Sequence, residues 1–524
     1  MRASILARML SPLHLHTVAQ IRALERHWID VVGIASFELM TRAGMRATRQ
    51  LRARWSAARD ILVLAGSGNN AGDGYVLARE ALALGLSPRV LALTPPEALR
   101  DDAARAAREC RAAGVRIDPL DRAHLADQLS KADVIVDAIF GIGLQRDVTG
   151  VIAEVVSLVN ASARPVLSID VPSGLCADTG KPRACAIRAD LTVTFIGHKL
   201  GLNLLEAAPW VGSLVLETLV DDPTLFASAV ESVGCVAQRL DEASLRQALP
   251  RRSITAHKGD SGHVIVVGGG LGMPGAARLA AIAALRVGAG KVTVLCHPSS
   301  AVSIATAHPE LMVRPVTDAA AMTEHLQGAD VRVLGPGLGR DEWSARMLEL
   351  ALSDSAPTVV DADALTLLAS RSVVDGAADA RSPLRPWVLT PHPAEAARLL
   401  GLTTSDVQAD RRAALAMLEA RFRSVIVLKG AGTWIGCADR RPTLCAQGNP
   451  RLATAGTGDV LAGILAGIWA QQRDRRSIDS SLLSAQAAVW LHLRAAELPV
   501  ELAHRPDRGL LAGELEMNLA RYLP

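Results

Sequence analysis

The chain has 524 residues, half of them hydrophobic and 21% charged, which is ordinary globular chemistry and more than one hydrophobic core organises. Its net charge is only +3, so no whole-chain field draws it to nucleic acid or to a membrane surface, and no apolar run approaches the roughly twenty residues of a membrane span. Six of the 56 basic residues are lysine, so arginine clusters say little in this composition and each lysine says more.

The seven cysteines, Cys110, Cys176, Cys185, Cys235, Cys296, Cys437 and Cys445, are scattered and lack metal-ligand spacing, which reads as a reduced, cytoplasmic protein. The first twenty-four residues hold Arg2, Arg8 and Arg22 and no acid; a short extension ahead of a start at Met9 is preferred to a transit peptide. From there short apolar, β-branched runs alternate with alanine- and leucine-rich stretches. Ile61–Leu64, Arg89–Leu93, Val134–Asp137, Val166–Asp170 and Leu191–Phe195 read as buried strands, with helices over Gly74–Leu84, Glu97–Ala113 and Val151–Asn160. That alternation predicts a parallel sheet covered on both faces, with ligands at the carboxyl ends of its strands. The pattern loosens over Asp221–Pro250, read as a linker. A second series follows, with strands at His263–Val267, Lys291–Cys296, Val331–Leu334, Thr358–Val360, Trp387–Thr390 and Ser424–Leu428. Its helices are Gly275–Val287, Thr457–Trp469 and Ser480–Glu497. The two halves share no motif, so the chain is not a duplication. The expected domains are 1–225 and 236–524, both α/β.

Glycine and aspartate cluster at the strand ends of the first half. Gly66-Ser67-Gly68-Asn69-Asn70-Ala71-Gly72-Asp73-Gly74 sits where a dinucleotide fingerprint would, but with oxygen-bearing side chains in place of small spacers. Asp137-Ala138-Ile139-Phe140-Gly141-Ile142-Gly143-Leu144 and Asp170-Val171-Pro172-Ser173-Gly174 follow two further strands. Together they aim Asn70, Asp137, Asp170 and Ser173 at one crevice, and oxygen-only donors suit a hard cation. In the second half Ala455-Gly456-Thr457-Gly458-Asp459 opens an apolar helix whose first amides form an anion hole, with a carboxylate beside it.

In order and spacing the three N-terminal segments resemble the NAD(P)H-hydrate epimerase half of the bifunctional NAD(P)H-hydrate repair enzymes. The resemblance implies a Rossmann-like three-layer α/β/α sandwich that interconverts the R and S epimers of hydrated NAD(P)H. It places K⁺ on Asn70, Asp137 and Ser173. It places the hydrate on Asn69, Asn70, Ala71, Gly72 and Asp73, on Gly141, Ile142, Gly143, Leu144, Gln145, Arg146 and Asp147, and on Asp170. Ala71 stands where the family more often has glycine. Inversion at C6 needs a group that takes and returns a proton, for which Asp170 is the candidate. Lys199 of Gly197-His198-Lys199-Leu200-Gly201 is a possible electrostatic partner or a residue ending a strand, and His198 is read as structural.

The Gly456–Asp459 segment resembles ribokinase-like kinases, in which the aspartate deprotonates the attacking hydroxyl while the amides hold the transferring phosphoryl group. The rest of that half is similar to the ADP/ATP-dependent NAD(P)H-hydrate dehydratases, in its segments His257-Lys258-Gly259, Gly335-Pro336-Gly337-Leu338-Gly339, Thr390-Pro391-His392-Pro393-Ala394-Glu395, Lys429-Gly430-Ala431 and Gly448-Asn449-Pro450. It implies nucleotide on Lys429, Gly430, Ala431, Gly432, Thr433, Asn449, Gly456, Thr457 and Gly458. The hydrate falls on Gly337, Gly339, His392 and Asp459, and Asp459 is the catalytic base. The chemistry implied is phosphorylation of the C6 hydroxyl of the S hydrate and elimination of phosphate, with Mg²⁺ on the phosphates and ADP as donor. The partners are therefore the hydrates of NADH and NADPH and the nucleotide, in a cytoplasmic homo-oligomer bound to neither nucleic acid nor membrane. Two rivals are a vitamin-precursor kinase and an N-terminal half that only binds, for which the basic stretch Arg42–Arg59 is the one support.

Overall fold

The computed structural model describes residues 14–249, 251–370, 383–497 and 509–524, so the choice between Met1 and Met9 falls outside the described residues. The chain forms two compact units, Met1–Gln238 and Arg239–Pro524.

The first unit is built on a seven-stranded sheet in the order Arg116–Pro119, Ser87–Ala92, Asp60–Ala65, Val134–Ala138, Val166–Ile169, Leu191–Phe195, Ser213–Glu217. Every neighbouring pair is parallel. Side chains on a strand alternate between faces, and here both faces are covered. Ile61, Val63 and Ala65 pack with Leu39, Tyr75 and Leu77, while Leu62 and Leu64 pack with Leu125, Leu129 and Val155 on the other side. This is the expected three-layer sandwich.

Three features depart from the sequence reading. The first helix after Asp60–Ala65 begins at Asn69, not Gly74, so Asn69–Gly74 is the opening turn of helix Asn69–Ala83. Helix Asp101–Ala112 begins after a separate turn, Pro96–Ala98. The expected linker instead carries helix Pro223–Val233, whose Phe226, Ala229 and Val230 are buried in the first unit's core, Phe226 stacking on Trp28 at 6.1 Å between ring centroids. Its acid and proline look like a turn in sequence, yet Asp222 is the N-cap and Pro223 the first helical residue, where a missing N–H costs nothing.

The second unit holds strands ordered Met312–Pro315, Lys291–Cys296, His263–Val267, Val331–Leu334, Thr358–Val360, Trp387–Leu389, Val425–Leu428, Thr433–Gly436, Thr443–Cys445. The first seven run parallel and the last two return antiparallel. Helix Thr457–Ala470 is buried along Val460–Ala470, as a helix apolar on all sides must be. It lies against helix Pro274–Arg286 so closely that a Cβ on Gly463 would come within 2.0 Å of the Ala280 carbonyl oxygen. Gly463→Ala should therefore destabilise the second unit by about 2 kcal/mol through overpacking, read as a lowered midpoint in denaturant unfolding.

Candidate active sites

The strand order of the first unit reverses between Asp60–Ala65 and Val134–Ala138, which opens a crevice at their carboxyl ends. Gly66 leaves the first strand so near its neighbour that a Cβ would meet the Ile139 carbonyl oxygen at 2.1 Å. A cavity of about 710 Å³ lies there. Asn69, Asn70 and Asp73, the run Gly141, Ile142, Gly143, Leu144, Gln145 and Arg146, and Asp170 and Lys199 line it. Arg22 and Glu25 of helix Val18–Asp30 line it too.

Asp170 sits at φ +66°, a left-handed conformation that costs a residue bearing a Cβ and that gathers at functional positions. Its Oδ1 accepts from Lys199 Nζ at 2.6 Å and its Oδ2 from the Ile142 amide at 3.3 Å. Lys199 is only 1% exposed and also donates to the Phe195 carbonyl at 2.7 Å. A Cβ on Gly141 would come within 2.9 Å of Asp170 Oδ2, so glycine there admits the carboxylate. Burial pushes the Asp73 carboxyl well above the usual range, reinforced by Asp170 and Glu25 and opposed by Lys199. Burial and Asp170 raise Glu25 as well. The cavity thus pairs one lysine-held carboxylate with two carboxyls inclined to keep their protons. His198 is buried, on a two-residue strand paired with Leu15.

Asp137 is fully buried and accepts from Ser173 Oγ at 2.5 Å, Ser173 N at 2.8 Å, Ser168 Oγ at 2.8 Å and Ile139 N at 3.3 Å. The Phe140 carbonyl lies 3.3 Å from the same serine oxygen. Asn70 is 8% exposed, and neither atom of its carboxamide has a hydrogen-bond partner. Among the described residues no three His, Cys, Asp or Glu side chains converge as they would for a transition metal.

Three residues expected to contact substrate are not among those lining the cavity. Ala71 is completely buried and part of the hydrophobic core, so its methyl faces away from the cavity. Gly72 lies beneath the cavity, where a Cβ would strike Met40 Sδ at 2.5 Å. Asp147 is exposed and outside the cavity lining. Both displacements of the first loop follow from its being helical: a helix opening turns only part of its residues toward the crevice. Arg22 and Glu25 were not anticipated; the Thr17–Gln20 capping box ahead of Ile21, Leu24 and Trp28 is the signal that places their helix.

In the second unit Gly456 takes φ +90° and caps helix Thr457–Ala470, placing Gly458 and Asp459 in its first turn. The Thr457 hydroxyl is spent on the Leu452 and Thr454 carbonyls, and His492 Nε2 lies 2.9 Å from the Thr457 carbonyl oxygen, so this turn is fixed from behind. Lys429 Nζ donates to Asp361 Oδ1 at 2.6 Å, and a Cβ on Gly458 would be 3.4 Å from that nitrogen. The ammonium therefore stands beside the helix opening. Gly430 and Gly432 both have positive φ, the Thr433 hydroxyl closes the turn on the Gly430 carbonyl at 2.9 Å, and Ala431 is exposed. The loop carbonyls are held from inside by Arg411, which donates to Leu428 at 3.1 Å, to Lys429 at 2.9 Å and to Ala431. The Asn449 carboxamide accepts from Arg451 N at 3.0 Å and caps the short turn Pro450–Leu452. Gly337 and Gly339 have positive φ, and the Gly339 amide donates to Asp363 at 3.0 Å. His392 caps helix Pro393–Leu400 and is half exposed. Asp361, Asp363, Glu395 and Arg411 were not anticipated; acids directly after Val360 at a buried strand end are the signal that was available.

Burial, with the charge of Asp361, pushes the Asp459 carboxyl up to about 7, against Lys429. In the role of base that the resemblance implies for Asp459, the carboxyl must be ionised to act, so a raised value places its onset near neutrality. Nucleotide-dependent turnover should rise with pH between 6 and 8 and level off above, and Asp459→Asn should remove that limb and lower kcat by about 10³-fold, measured as a pH–rate profile.

The second unit matches a family model described as NAD(P)H-hydrate dehydratase over residues 264–519, and the first matches one described as YjeF-related protein N-terminus over residues 36–201. The chain is 41% identical to the bifunctional NAD(P)H-hydrate repair enzyme Nnr of Coxiella burnetii, over 95% of this chain and 97% of that protein. It is 38% identical to the enzyme of the same name from Escherichia coli, over 97% and 94%. Among solved structures, an ADP/ATP-dependent NAD(P)H-hydrate dehydratase from Bacillus subtilis, co-crystallized with ATP/Mg²⁺, is 30% identical over 55% of this chain and 97% of that one, with a TM-score of 0.46. The chain belongs to the family of bifunctional NAD(P)H-hydrate repair enzymes.

Proposed function

We propose that this chain returns damaged, hydrated NADH and NADPH to service, the first unit equilibrating the R and S epimers and the second dehydrating the S form with ADP, releasing AMP and phosphate. The observation that carries the first activity is the Asp170–Lys199 pair at the floor of the cavity. The C6 hydroxyl of the hydrate is attached beside N1, whose lone pair can expel it once it is protonated. Asp73, inclined to hold its proton, serves as the acid, and water then returns to the opposite face. Asp170, held in place by its hydrogen bond from Lys199, takes the proton of that water. In this reading Asn69, Asn70 and Gly141–Arg146, which line the cavity, contact the substrate.

The donor set fits K⁺. Asn70 offers a buried carboxamide without a partner, and Ser173, Asp137 and the Phe140 carbonyl form a cluster of oxygens among themselves. Bound there, the cation supplies positive charge beside the hydrate. Asn70, Asp137 and Ser173 would hold it.

In the second unit, the opening of helix Thr457–Ala470 and Lys429 take the nucleotide phosphates, and Asp459 removes the proton of the C6 hydroxyl. Phosphate is a far better leaving group than hydroxide, which is why a nucleotide is consumed. Mg²⁺ arrives with the nucleotide as part of that substrate. We take Gly430–Thr433 and Asn449 as the rest of the nucleotide site and Gly337, Gly339 and His392 as contacts of the hydrate. A homo-oligomer in a reducing cytoplasm is the expected setting, which the seven free thiols support. An alcohol kinase would leave the Asp170–Lys199 pair without a task.

With a mixed R/S preparation of NADH hydrate, Mg²⁺ and ADP, absorbance at 340 nm should recover completely. Asp170→Ala should leave the R fraction unrecovered and Asp459→Ala should abolish recovery. A failure to recover with either ADP or ATP contradicts the proposal.

A further inference from the structure

One buried arginine stands behind the loop that carries Lys429. Arg411 opens helix Arg411–Phe422, after the N-cap Asp410, and is 8% exposed. Its Nη2 donates to the carbonyls of Leu428 at 3.1 Å and Lys429 at 2.9 Å, and its Nη1 to that of Ala431. The remaining carbonyl of the run, that of Gly430, is taken by the Thr433 hydroxyl at 2.9 Å. A trans peptide points its carbonyl and the following amide in opposite directions. Gathering the Lys429 carbonyl therefore turns the Gly430 amide away from the guanidinium, and Gly430 is exposed. A Cβ on Gly430 would come within 3.1 Å of Arg411 Nη2, and its φ is +131°, so glycine is what lets the loop close on the arginine. Lys429 is clamped at both ends of its backbone, its carbonyl by Arg411 and its amide by donation to the Pro391 carbonyl at 2.8 Å. From that clamp its side chain reaches Asp361 at 2.6 Å.

We propose that Arg411 is a positioning residue of the dehydratase, which fixes the Lys429 ammonium and the Gly430 amide as preformed donors to the nucleotide without touching the nucleotide itself. This rests on the dehydratase reading above. A guanidinium suits the task because it is planar, always charged and presents five N–H donors in a fixed fork, so it bridges several carbonyls at once. An ammonium in its place is a point charge at the end of a flexible stem and cannot hold the same three carbonyls. Gly430 and Gly432 give the loop more backbone freedom than other residues would, and a nucleotide that had to order such a loop on binding would lose affinity by that amount. With Arg411 in place the loop is ordered when the chain folds. The groups that Arg411 holds belong to the nucleotide loop, so its loss acts on the nucleotide and not on the hydrate.

Arg411→Lys and Arg411→Ala test this on the full chain, with S-NADH hydrate and Mg²⁺ and with ADP varied, or ATP where only ATP supports turnover. In both variants the nucleotide KM should rise by about tenfold or more, while the hydrate KM at saturating nucleotide stays within about twofold. Arg411→Lys should not rescue the nucleotide KM although it keeps the charge, because the fork is what the loop needs. A brace that serves the fold alone would lower the thermal midpoint and impair both substrates together. That outcome, or a nucleotide KM unchanged in a folded variant, would overturn the positioning role while leaving the dehydratase assignment standing. Absence of turnover in the unaltered enzyme with either nucleotide would instead remove the assignment, and the positioning role with it. Thermal unfolding checks each variant, and should Arg411→Ala not fold, Arg411→Lys decides.

Discussion

In a chain with only six lysines, two are drawn into the interior to meet an aspartate at the carboxyl end of a parallel sheet. Lys199–Asp170 and Lys429–Asp361 each close at 2.6 Å. Taking both charges of such a pair out of water offsets most of what their attraction returns, so neither pair is explained by stability. What each pair does is fix a full positive charge within a ligand-sized space. Both units build outward from that charge. In the first, two-residue strand His198–Lys199 and the left-handed Asp170 hold the partners together. In the second, Lys429 follows strand Val425–Leu428, and its amide donates to the Pro391 carbonyl at 2.8 Å.

The same device meets different surroundings and so serves different chemistry. Beside Lys199 lie two further carboxyls, Asp73 and Glu25, whose burial disfavours a second and third negative charge. In the proposed epimerisation, a lysine-held carboxylate beside a protonated acid serves the loss of a hydroxyl from one face of a carbon and the return of water to the other. Beside Lys429 lies instead the open end of a helix, where backbone amides and the ammonium together favour an anion. There the carboxylates Asp361, Glu395 and Asp459 act on the lysine's charge, and burial pushes the carboxyls of Glu395 and Asp459 up to about 7.

The fold was legible where physics leaves a short-range mark. Strands covered on both faces must be apolar throughout, so Ile61–Leu64 and His263–Val267 announce themselves, and glycines that admit a close backbone, such as Gly66 and Gly141, flag the strand ends of the site. Helix Pro223–Val233 was missed because an N-cap aspartate followed by proline has the composition of a turn, and only its burial against Trp28 distinguishes them. Likewise the site's named loops were legible, whereas Glu25, Asp361, Glu395 and Arg411 were not. Lys429 reaches Asp361 over 68 residues, and the sequence alone does not mark which of many acids and arginines such a long-range contact will bury. Ala71 and Gly72 show the converse: a motif read as a loop exposes all its residues, but as a helix opening it buries part of them.

The central claim is that two separate charge-anchored sites act on one substrate in sequence. The most direct measurement supplies pure R-NADH hydrate without any nucleotide and follows the epimers by chromatography. Separate sites predict that the enzyme, and Asp459→Ala equally, bring R to an R/S mixture with no NADH formed, while Asp170→Ala leaves R untouched. Equilibration that survives Asp170→Ala, or fails in Asp459→Ala, would contradict the account.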